Sequence, residues 1–112
     1  MREARKEKPI KKTDSELNQL LAKKIPAGEY VFLKHARERL IDRNISDLDV
    51  LDILEGKIGY KKNRNKIKDK YVDGKQDWNY CFEGCNIDGI EIRIIISFDG
   101  NLMPIITVIR LN

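Results

Sequence analysis

His35 is the chain's only histidine, and Arg39 and Arg43 follow it at intervals of four. That spacing sets the three side chains in one stripe along a helix, with Ala36 and Leu40 beside it facing inward. An imidazole can move a proton near neutral pH, and a guanidinium can clasp a phosphate through two parallel hydrogen bonds. Together they suit gripping or cutting RNA. A helix face charged only because it is solvated has the same composition, and that reading stands beside the first.

Metal-free RNA cleavage asks for little. A base activates the ribose 2′-hydroxyl, cations stabilise the phosphorane, and an acid protonates the departing 5′-oxygen. Arg93 and Arg110, from later segments, are the candidates to converge on His35, Arg39 and Arg43 from a second direction. Lys61, Lys62, Arg64, Lys66 and Lys68 form a separate basic group for the RNA backbone, with Tyr71 placed to stack on a base. The chain holds no phosphate-cradling glycine loop, metal-ligand cluster or nucleophile elbow, so no metal or cofactor is expected. Cys81 and Cys85 read as buried thiols: even with His35 they leave a zinc ion short of four ligands.

Charge is segregated. The net +4 divides into +4 over residues 1–12, +6 over residues 57–75 and −6 over the remainder. Such a layout favours a polyanion at the basic regions, although a loop kept soluble by lysine would look the same. No apolar run approaches the roughly 20 residues that cross a bilayer, and no apolar segment follows the basic start. A cytoplasmic protein without a membrane partner is expected.

The elements that must position these groups change period midway. Residues 1–12 read as a flexible basic arm, and 13–112 as one domain. Thr13 or Asp14 caps a helix carrying Leu17, Leu20 and Leu21, stopped by the Ile25–Gly28 run. Tyr30 to Leu33 is a short extended entry into the histidine helix, 34–43. Asn44 can take a left-handed conformation at its end. Ser46 caps a third helix with Leu48, Val50, Leu51 and Leu54 on its apolar face and its acidic residues in solvent. Strict alternation then predicts strands over 77–84, 89–98 and 102–110, antiparallel because Asp88-Gly89 and Asp99-Gly100 are hairpin turns. Pro104 points to an edge strand or a bulge. Residues 58–62 and 66–73 read as a further hairpin carrying the basic cluster. The fold class is α+β, N-terminal helices packed on a C-terminal antiparallel sheet.

Lys34-His-Ala-Arg-Glu-Arg-Leu-Ile-Asp-Arg-Asn-Ile-Ser46, with the terminal Ile105-Ile-Thr-Val108, resembles a small bacterial family labelled a domain of unknown function. Its members read H-A-x-x-R-(M/L)-x-x-R-G-I-S and end on I-(I/L)-T-V. Asn44 replaces the usual glycine, and residues 1–29 fall outside the resemblance. The family is similar to RelE/MqsR-like toxins, and many members are encoded beside a zinc-finger antitoxin. The resemblance implies a toxin-like endoribonuclease cleaving mRNA, free or on the ribosome. A cognate antitoxin of zinc-finger or helix-turn-helix type would neutralise it. Only His35, Arg39 and Arg43 carry over from the motif. A non-catalytic RNA- or DNA-binding module, and an interaction domain with a basic face, are the alternatives.

Overall fold

The computed structural model describes residues 8–112. In chain order the elements are α1 (Asp14–Ala27), β1 (Tyr30–Phe32), α2 (Lys34–Asp42), α3 (Asp47–Glu55), β2 (Lys61–Arg64), β3 (Tyr80–Cys85), β4 (Glu91–Ile96) and β5 (Met103–Arg110). The fold is α+β, with the helices early and the longer strands late.

Local chemistry sets the helix boundaries. Thr13 and Glu16 form a reciprocal capping box at the start of α1, and Gly28 closes it in the left-handed conformation. Ser46 accepts from the Leu48 N–H to start α3, and Asn44 takes a φ of 53° after α2. The start of α2 differs: its cap is Leu33, with no side-chain hydrogen bond and no acid in the first turn.

Five strands order as β1-β5-β4-β3-β2, forming one sheet. β2 to β5 pair antiparallel, the last three through the tight turns at Asp88-Gly89 and Asp99-Gly100. β1 is the exception: Tyr30 and Phe32 lie parallel to Met103 and Ile105, so the sheet is mixed. A three-residue strand is too short to show alternation, which is why it reads as a mere entry into α2. β5 is therefore internal, and Pro104 is not on an edge. A register shift at Ile95/Ile96, opposite Ile105 to Thr107, supplies the irregularity that proline implied.

The expected basic hairpin is only half formed. β2 pairs with β3, whereas 66–68 is a single 3-10 turn and one bridge joins Lys70 to Asn79. The reason lies in Asp69, whose carboxylate turns inward and ends the strand path.

One core joins the layers. Leu17, Leu21, Ala36, Val50, Ile53 and Leu54 pack against Tyr80, Phe82, Ile92, Ile94, Ile96, Ile105 and Val108. Each large side chain so buried is worth about 1.5–3 kcal/mol. Leu48, expected on the apolar face of α3, is exposed, and Ile53 takes its place. Asp49, expected in solvent, is half-buried and accepts from Asn86 and Tyr60. Gly84 lets the layers close: a Cβ there would strike the Lys61 carbonyl and the Ile53 side chain.

Part of the basic arm is fastened. Trp78 Nε1 donates to the Pro9 carbonyl (2.8 Å), the Lys12 N–H donates to Tyr80 Oη (2.9 Å), and Lys12 pairs with Asp77. The arm's first seven residues lie outside the described ones.

Candidate functional site

Two basic surfaces were legible in the sequence, and the fold treats them oppositely. On β2 the alternation sends Lys62 and Arg64 toward the helices, where they register with Gly84 and Phe82. Lys62 Nζ donates to the Leu54 carbonyl and to Asn18 Oδ1, both at 2.9 Å, steadying the C-terminal end of α3. Burial lowers its pKa.

Arg64 is the centre of a buried ion cluster. Its side chain is 12% exposed, and it clasps Asp69, fully buried, through Nη1 (2.9 Å) and Nη2 (2.6 Å), with Nε on Asp14 (3.1 Å). Asp69 also accepts from the Cys81 N–H (2.8 Å) and Lys11 Nζ (2.9 Å). Burial would raise the Asp69 carboxyl, but hydrogen bonds from Arg64, the Cys81 N–H and Lys11 outweigh it and hold the pKa below the usual range. Lys66 is drawn to Asp14 at 3.2 Å. Of the five cations assigned to RNA, Lys62 and Arg64 are thus occupied inside the fold and Lys66 is paired at its surface. Lys61 and Lys68 remain exposed, without an ion pair among the described residues. Tyr71 packs against Trp78, ring centroids 5.8 Å apart, and its hydroxyl donates to the Lys75 carbonyl.

The histidine helix is the reverse case. Ala36 turns into the core, and everything cationic turns out. His35 is 88% exposed, with Glu38 at 3.8 Å. Arg39 lies one turn on; Arg43 has already left the helix as its C-cap. Among the described residues no ion pair engages Lys34, Arg37, Arg39 or Arg43. The sequence hid Lys34 and Arg37 because the acidic remainder swamped a local excess of cations over 34–43.

The sheet cations do not converge on this helix as a pair. Arg93 registers with Ile109 and Glu83, on the face opposite Ile92 and Ile94, and pairs with Glu83 at 2.7 Å. The sheet therefore stands between Arg93 and α2. Arg110 registers with Ile92, on the helix side, and its Nε donates to the Asn112 main-chain oxygen.

A cavity of about 460 Å3 opens where β1 hands over to α2. Leu33, Phe98, Pro104 and Ile106 give its apolar wall, and Lys75, Gln76, Asn79, Ser97 and Asp99 its polar one. These residues come from separate segments, so no spacing announces them. Both cysteines are free thiols, with Cys81 buried.

The family described as Domain of unknown function (DUF4258) matches residues 32–110, from the last residue of β1 to the last of β5. No curated protein and no solved structure matches the chain.

Proposed function

This chain belongs to the DUF4258 family, and we propose that it acts on RNA as a metal-independent, toxin-like endoribonuclease held in check by a cognate antitoxin. The observation carrying this reading is the solvent face of α2. It sets an exposed imidazole, His35, beside cations that no carboxylate among the described residues engages.

His35 Nε2 or Nδ1 takes the 2′-hydroxyl proton, and the 2′-oxygen attacks the adjacent phosphorus. The P–O5′ bond breaks and the leaving oxygen takes a proton from solvent water, giving a 2′,3′-cyclic phosphate and a 5′-hydroxyl. Arg39 holds the non-bridging oxygens as charge builds on them. The uncapped N–H groups of the first α2 turn add a positive end to the same region. Arg43, Lys34 and Arg37 track the backbone. The reading as a RelE/MqsR-like toxin rests on the 34–46 motif.

The exposure of His35 favours a second reading. Apart from Glu38 at 3.8 Å, no group among the described residues orients its ring, so the same face could bind RNA without cutting it. A cleavage assay on a labelled RNA with chelator present separates the two. Loss of cleavage in His35→Ala, with RNA affinity and thermal stability retained, supports the nuclease. Intact RNA at saturating wild-type protein refutes it and leaves the binding module.

A further inference from the structure

We infer that the cavity between Leu33, Asn79, Asp99 and Ile106 seats a guanine base, the base of the nucleotide whose 3′-phosphate reaches α2. This rests on the RNA-cleaving reading above and adds a specificity to it.

Size is the first argument. About 460 Å3 falls within the range of small-ligand clefts. The wall formed by Leu33, Pro104 and Ile106 offers apolar contact to a ring face. Opposite it lie side chains with spare hydrogen-bonding capacity. Gln76 Oε1 already accepts from the Gly100 N–H at 2.9 Å, which leaves its amide NH2 to donate. Among the described residues Asn79 bonds through its main chain, bridging to Lys70. Asp99 likewise bonds through its backbone, to Leu102. No ion pair among the described residues engages the Asp99 carboxylate or the Lys75 ammonium.

The polar set selects among bases. A carboxylate has two acceptor oxygens and no donor. Guanine alone of the four RNA bases places two donors side by side on its pairing edge, N1–H and the N2 amine. Its O6 next to them accepts, which suits the Gln76 or Asn79 amide or the Lys75 ammonium. Uracil would set carbonyls against Asp99. Adenine and cytosine each put a ring-nitrogen acceptor beside a single amine.

Position is the last argument. Leu33 ends the cavity wall and is also the residue before α2, so the first-turn residue His35 stands two positions along the chain. Two residues span at most about 7 Å of chain. Asn79, Ser97 and Pro104 alternate onto the Arg93 face of the sheet, so the cavity meets α2 round the β1 edge at Leu33, and Lys75 on its polar wall is a cation from a second segment.

The test titrates the full chain with guanosine, adenosine, cytidine and uridine 3′-monophosphates, following amide resonances. Guanosine 3′-monophosphate should shift Leu33, Asn79, Asp99 and Ile106 and bind about 10- to 100-fold tighter than the others, the discrimination of one two-pronged contact. Asp99→Asn should erase most of that preference, and Asn79→Ala should weaken it, with melting temperatures unchanged. Equal binding of all four nucleotides, or shifts confined to other surfaces, overturns the assignment. His35-dependent cleavage without base preference also overturns it while leaving the nuclease standing. Guanine-selective binding in the cavity by a protein that leaves RNA intact supports the assignment and removes the nuclease.

Discussion

If the solvent face of α2 is the RNA-binding surface, its cations set how affinity responds to salt. Each phosphate contact on a single strand contributes about 0.7 to the slope of log K against log salt. Lys34, Arg37, Arg39 and Arg43 are free of ion pairs among the described residues. Replacing all four with glutamine should therefore flatten the slope by about 3. Replacing Lys61 and Lys68, the unpaired members of the other basic group, should flatten it by about 1.4 at most. The measurement is fluorescence anisotropy of a labelled single-stranded RNA across a salt series. All four α2 positions are exposed, so the variant should stay folded within about 0.5 kcal/mol per site, checked by urea unfolding of the lone Trp78. A slope unchanged in the α2 variant but flattened in the Lys61/Lys68 variant would refute the assignment of this surface.

Asp69→Asn should cost about 3–5 kcal/mol, because Arg64, 12% exposed, loses the charge it clasps; a loss under about 1 kcal/mol would show the cluster to be idle. A depressed carboxyl stabilises the fold above its unfolded pKa, and that share is lost as pH falls through the folded value, below 3.8. Acid titration of wild type against Asp69→Asn should show that loss only in the wild type. Gly84→Ala should destabilise by about 3 kcal/mol, since its methyl meets the Lys61 carbonyl and Ile53; an unchanged melting temperature would mean that α3 and β2 can retreat. Thiol labelling at pH 8 should modify Cys85 and spare Cys81, which is buried and whose pKa burial, and then Glu83, pushes up to about 11; equal rates would place Cys81 nearer solvent.

α1 and α3 were legible because their ends are written locally. Thr13 with Glu16, Ser46, Gly28 and Gly56 fix them within a residue or so. β3 and β4 were legible because Tyr80 and Phe82, and then Ile90, Ile92, Ile94, Ile96 and Phe98, recur at every second position. β1 was not, since its pairing with β5 depends on residues far along the chain. The basic cluster misled for a related reason. Composition counts a lysine without saying whether a carboxylate waits for it. Asp14 lies close to Arg64 only in space, and Asp69, near it in the chain, faces Arg64 because its carboxylate is turned inward to accept from the Cys81 N–H. His35 and Arg39 stand on the surface of α2 as their spacing implies, but of the two partners sought on the sheet Arg93 belongs to the other side.

The parallel pairing of β1 bears on the order in which this chain acquires its shape. β3, β4 and β5 are successive hairpins that can zip from neighbouring segments, whereas Tyr30 must wait for Met103. Long-range closure of that kind is slow and comes late. β1 spans only three residues, so few hydrogen bonds hold it, and α2 follows it directly. Parting β1 from β5 would lift the histidine helix from the sheet while the β2-to-β5 framework stays whole, an opening below the global unfolding free energy. In hydrogen exchange, the amides of Phe32 and α2 should trade protons well before those of Phe82 and Ile94.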